Sequence, residues 1–264
     1  DVKNRPYDYT YKFDENTYKY LDGSNVNRYH INWSGLWLRY GNHLAAPRSF
    51  NLFSSNKIIV REITSSFPRC LNATYTDETY LYNRSNIAIV EKDKNFSLKY
   101  ILALLNSSLM SYYFKKNTAK SERKLFPKII LNDLRLFPIK NLSKKSQKTF
   151  IILSECMLAK NEKLYEKSQH FINLLKAEYE TIEISGKLNN WYELDWKQFT
   201  NELKKQKIVL SGSQKDDWFE RFNRVSTEIK ELQKTIDETD KQIDSLVYKL
   251  YNLTDEEIKI IENM

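Results

Sequence analysis

FSLKYILALLNSSLMSYYFKK, residues 96–116, is the stretch on which the fold turns, because the period of the chain changes there. Leu98, Ile101, Leu102, Leu105, Leu109 and Tyr112 recur at steps of three and four, which places them on one stripe of an α-helix. Asp93, Asn95 and Ser97 precede the run as candidate N-caps, and Lys115 and Lys116 stand where cations complement the negative end of a helix dipole. One amphipathic helix is expected here, packed against whatever precedes it.

What precedes it reads as strands. Residues 7–20 (YDYTYKFDENTYKY) begin by alternating, with Tyr7, Tyr9, Tyr11 and Phe13 on one face, as in a strand or extended arm. Asp22-Gly23 then signals a turn. Residues 30–40, 57–63, 75–82 and 85–90 add further strand-like runs, of which KIIVREI is a β-branched core segment. After the helix, residues 126–129 (FPKI) and 136–139 (LFPI) each carry a proline that favours an extended edge or connector.

Downstream of residue 143 the composition shifts to helix formers. Residues 150–183 are periodic with almost no breaker, Ser185-Gly186 interrupts them, and residues 189–209 read as a compact insertion with its own helix. Beyond a second break at Ser211-Gly212-Ser213, Val225, Ile229, Leu232, Ile236, Thr239, Ile243, Leu246 and Leu250 follow 4-3 spacing. That is the seam of an antiparallel helix pair or coiled coil. Thr254 and Glu257 have the spacing of a capping box for a last short helix. The expected class is α+β: a curved mixed sheet with one packed helix over residues 1–142, then a helical lobe with long antiparallel helices over residues 143–264.

The charge divides along the same line. Residues 1–142 hold 22 Lys and Arg against 12 Asp and Glu, a net +10, whereas residues 143–264 hold 20 against 22. A local excess of this kind is the footprint of phosphate binding, because each neutralised phosphate releases condensed counterions; a merely solvated basic surface is the plainer reading. The basic residues concentrate after the helix, where Lys115, Lys116, Lys120, Arg123, Lys124, Lys128 and Arg135 face only Glu122 and Asp133. Arg28, Arg48 and Arg69 supply forked donors able to bond guanine N7 and O6 bidentately. Arg39 and Arg61 lie inside strand-like runs and fit equally well as solvent-facing or acid-paired side chains. Most of the 13 tyrosines in the first 142 residues are expected in the core or at its rim.

No catalytic constellation emerges from the residues. His30, His43 and His170 are too scattered for a metal cluster or a nucleophile–base pair, and Ser121-x-x-Lys124 lacks the companion motifs of serine–lysine hydrolases. Neither phosphate-binding glycine motif occurs, nor does an acidic cluster of the kind metal-dependent nucleases use. Cys70 and Cys156, without ligand-like neighbours, read as reduced thiols of a cytoplasmic protein. No apolar run approaches the ~18 residues of a membrane span, and a chain opening on Asp1-Val2 is expected to be a piece of a longer one.

The serial order of segments resembles a known family. Residues 20–29 around Tyr20-Leu21-Asp22-Gly23, then Lys57-Ile58-Ile59-Val60-Arg61, then residues 97–107, then the two proline segments, are similar to the TaqI-like C-terminal specificity domain. That family supplies the target-recognition domain of adenine-N6 DNA methyltransferases and of type IIG restriction-modification enzymes. Residues 194–207 and 240–257 resemble the helical C-terminal region of the same enzymes. The resemblance implies a sequence-specific double-stranded DNA recognition module. Its nine expected DNA-binding residues are Arg28, Arg48, Arg69, Lys115, Lys116, Lys120, Arg123, Lys124 and Lys128. It further implies a neighbouring methyltransferase or endonuclease domain in the parent chain, which would hold S-adenosylmethionine and, for cleavage, Mg2+, since the N-P-P-[YF] tetrapeptide of the adenine pocket is absent here. The competing reading is a helical protein-interaction adaptor with a non-specific basic surface.

Overall fold

A computed structural model describes residues 6–118, 121 and 126–264. The chain forms two compact units, one of residues 1–158 with 240–264 and one of residues 159–239. This is a different division from the compositional boundary at 142/143, because it cuts the two long helices instead of the linker between lobes.

Among the described residues of the first unit, the strands form three sheets. A mixed sheet runs in the order β1 (Asp8–Tyr9), β5 (Trp37–Arg39), β2 (Thr17–Leu21), β8 (Leu81–Tyr82), with only the β2–β8 pair parallel. A two-stranded ribbon joins β3 (Val26–Asn27) to β4 (His30–Ile31). An antiparallel sheet centres on β6 (Lys57–Arg61), flanked by β7 (Ala73–Thr76) and β9 (Asn86–Val90). Central placement explains the composition of β6: Ile58, Ile59 and Val60 are wholly buried, so the strand is a continuous apolar run instead of an alternating one. Its first residue, Lys57, is buried too, and its ammonium donates to the carbonyls of Phe53, Ser55 and Glu78 at 2.7, 3.1 and 2.8 Å. The first two of those bonds cap the short helix α1 (Asn51–Ser54); burial pulls the Lys57 pKa down to about 8, against the charges of Asp77 and Glu78.

The expected strands are present but broken. Residues 7–20 give β1 and the start of β2, separated by a turn that Asp14 and Thr17 lock side chain to side chain at 2.6 Å. Residues 30–40 yield β4 and β5 with Trp33 between them, and residues 75–82 straddle the end of β7 and all of β8. The FPKI segment contributes one bridge, Lys128 to Ile63, and a short helix α4 (Leu131–Arg135) follows it.

The single helix expected over residues 96–116 is two. Ser97 caps α2 (Leu98–Leu105), and a second serine, Ser107, caps α3 (Ser108–Asn117) by accepting from the Met110 amide. Asn106 ends the first helix between them. The polar triplet Asn106-Ser107-Ser108 competes for backbone hydrogen bonds with the helix it interrupts. All three residues are buried, so the break lies inside the unit. Helix α2 packs on β6 and β7, and α3 on the last helix, α9 (Asp255–Glu262). Thr254 and Glu257 form the expected capping box for α9, at 3.3 and 2.8 Å.

The second unit is an aromatic core between α5 (Lys144–Glu178) and α8 (Gly212–Tyr251), filled by α6 (Gly186–Asn189) and α7 (Trp196–Lys205). Phe171 stacks on Trp191 at 3.7 Å and meets Trp218 edge-on at 5.6 Å. Within this unit α5 and α8 run antiparallel: Tyr179 lies beside Trp218, and Lys167 pairs with Glu228 ten residues further along α8. Asp195 caps α7 in a box with Gln198.

Candidate nucleic-acid interface

The charged groups of the first unit fall into two kinds, those spent inside the fold and those left outward. The largest internal group surrounds the α2–α3 break. Arg28, which follows β3, donates two bonds to the Asp240 carboxylate, one of them Nη1 to Oδ2 at 2.6 Å, and two more to the Asn106 carbonyl at 3.1 and 3.3 Å. Arg69 reaches Asp244 at 2.7 and 3.1 Å and lies 3.8 Å from Asp240. Asp244 also accepts from the Ser108 amide and hydroxyl, each at 2.9 Å.

The arrangement has a physical logic. Two guanidiniums meet the carbonyl of Asn106, the cap residue that ends α2 where the helix dipole is negative, with Arg69 at 3.5 Å, and one carboxylate sits on the first amide of α3, where it is positive. Burial opposes the Arg69 charge, but the bonds and charges of Asp244 and Asp240 outweigh it, so the Arg69 pKa ends above its ordinary value. Beneath the cluster, burial pushes the Tyr29 phenol up to about 12, with the Arg28 guanidinium 5.0 Å from its ring centroid working the other way. Sequence reasoning does not single out Asp240 and Asp244, although a signal for them exists: two carboxylates four residues apart share a helix face with the seam residue Ile243 and with Val247, all four buried.

The expected DNA-binding residues therefore part company. Arg28 and Arg69 are brought together, but with their donors committed to protein acceptors and side chains only 16% and 25% exposed. A guanidinium held this way has its fork engaged within the fold, which sets Arg28 and Arg69 apart from the outward cations. Arg39 is likewise held by Asp14 at 2.7 Å, and Lys128 by Glu62 at 3.2 Å. Lys115 donates to the Ser121 carbonyl at 3.0 Å, Lys116 is exposed with its ammonium 5.6 Å from the Tyr112 ring, and Arg48 is exposed in the loop between β5 and α1. Lys120, Arg123 and Lys124 lie outside the described residues.

Comparison with known proteins agrees with the resemblance read from sequence. Residues 18–139 match the TaqI-like C-terminal specificity domain, and residues 143–247 match a domain of unknown function, DUF8810. The first match ends one residue before Lys140, so it takes in the sheets apart from β1 and Thr17, the α2–α3 pair and the basic segment, but not Asp240 and Asp244. No curated protein matches the chain. Among solved structures, one described as the type IIL restriction-modification enzyme MmeI in complex with DNA matches at 9% identity with a TM-score of 0.49, over 95% of this chain and 32% of that one. The chain thus spans about a third of that protein's length. No helix of the described residues is long and apolar enough to cross a membrane.

Proposed function

We propose that this chain is the DNA-recognition module of a restriction-modification enzyme, reading a double-stranded site for adenine-N6 methylation or cleavage performed by another domain of the parent, of type IIG organisation. The family match over residues 18–139 carries this reading, and the net +10 of residues 1–142 supports it physically. The N-P-P-[YF] tetrapeptide of the adenine pocket does not occur in this sequence, and this reading assigns S-adenosylmethionine and catalysis to a neighbouring domain of the parent. Backbone gripping falls to the exposed Lys116 and to Lys115 and Lys128, whose ammoniums keep two donors each beyond their bonds to the Ser121 carbonyl and Glu62, with Lys120, Arg123 and Lys124 from the same stretch of sequence, and base reading to the exposed Arg48.

The test is selection of duplexes from a random-sequence 30-bp pool, followed by titration over salt. Enrichment of a defined site is expected. Binding is expected to fall roughly 10^3- to 10^5-fold between about 50 and 200 mM salt if six to ten phosphates are contacted. Retention of no duplex even at the lower salt would overturn the reading and favour the interaction-adaptor alternative.

A further inference from the structure

Phe126 is 65% exposed and holds its backbone at φ +54°, in the left-handed region that bulky side chains rarely occupy. Each feature costs stability, and with the residue 65% exposed the fold gains little packing from the ring in return. The backbone that presents it is nevertheless anchored. The Pro127 carbonyl accepts from the Thr64 amide at 3.0 Å and the Thr64 hydroxyl at 3.2 Å, and the Ile129 amide donates to Glu62 at 2.9 Å. A rigid support for an exposed ring is what a binding residue needs, because little ordering entropy is then lost on association.

The surroundings say what kind of ligand the ring meets. Residues 115–135 carry seven Lys and Arg against two acids, and of these Lys128 stands two positions from the ring. Leu131 and Leu136 are 45% and 72% exposed in the same segment, so three exposed large apolar residues sit within eleven positions of strongly cationic chain. An apolar ring amid cations suits a polyanion with apolar faces inside it, which is the chemistry of a nucleic acid: phosphates for the cations and a nucleobase for the ring. We infer that Phe126 is a base-stacking wedge, packing its ring against nucleobases while the flanking lysines hold the phosphates. This rests on the DNA-binding reading above and adds to it an interaction that is not electrostatic.

The experiment uses the full chain and the duplex enriched from the random pool, or the unselected pool if none is enriched. Phe126→Ala, Phe126→Gly, Phe126→Trp and the pair Lys115→Ala/Lys116→Ala are titrated across a salt series and melted. Phe126→Gly relieves the positive φ and should melt no lower than the parent, yet bind roughly 5- to 100-fold more weakly with an unchanged salt slope. Phe126→Ala should share the binding loss, and Phe126→Trp should retain affinity. The lysine pair should instead flatten the slope, by about 0.9 for each phosphate no longer neutralised. Parental affinity in both Phe126→Gly and Phe126→Ala would overturn the wedge and leave DNA recognition standing. Failure of the unaltered chain to hold any duplex would overturn both.

Discussion

Residues 212–239 of α8 belong to a unit held by rings, while residues 240–251 of the same helix belong to a unit in which α8 meets two arginines. In the first stretch Trp218 and Phe222 join Phe171, Trp191 and Phe199 in an aromatic cluster. In the second, Asp240 and Asp244 bond Arg28, Arg69 and the start of α3. The 4-3 seam runs through both without marking the change. Apolar burial is non-directional and tolerates small shifts of a helix along its axis, whereas a bidentate carboxylate pair does not: a slip of one turn, about 5.4 Å, would carry both acids away from both arginines. The ring-lined stretch therefore supplies bulk stability, and the charged stretch supplies register.

That contrast can be broken from either side. Trp191 is wholly buried and stacked on Phe171, so Trp191→Ala should cost about 3 to 5 kcal/mol, seen in thermal unfolding and as lost amide protection in residues 159–239. Asp244→Ala should cost about 3 kcal/mol, because it strands the Arg69 guanidinium and the Ser108 amide together. Replacing Arg69 and Asp244 jointly by Met and Leu should recover most of that loss. A double replacement as unstable as the single one would show that the pair contributes net stability and not only register. Arg28→Lys keeps the charge but not the fork, and should cost about 1.5 kcal/mol by denaturant unfolding. The smallest effect is expected for Ser107→Ala, about 1 kcal/mol from the missing cap of α3. A cost nearer that of Asp244→Ala would mean that the cap and the charge cluster act as one unit.

How much of this is legible in the sequence follows from how local each signal is. The caps at Ser97 and Thr254 are readable because each is set by neighbours three or four positions away, whereas the expected breaks at residues 185–186 and 211–213 are helix starts, with Ser185 capping α6 and Gly212 opening α8 after gaps that follow Glu178 and Lys205. The α2–α3 break has a signal in Asn106-Ser107-Ser108, but it is masked by an apolar stripe that continues across it to Leu109 and Tyr112. The roles of Arg28 and Arg69 have no local signal. An unpaired-looking arginine in sequence is indistinguishable from one meant for phosphate, and the acid that claims Arg28 stands 212 positions away.

Residue type and short-range period suffice for the class of the chain, the change from strand to helix, the sign and location of its charge, and the family that residues 18–139 match. Which arginines are paired within the fold, where the central helix divides, and that residues 240–251 of α8 belong to the first unit follow from the tertiary structure alone. Those outcomes depend on which groups desolvate together, and a charge leaves water in a fold only where an opposite charge or hydrogen-bonding partner waits for it.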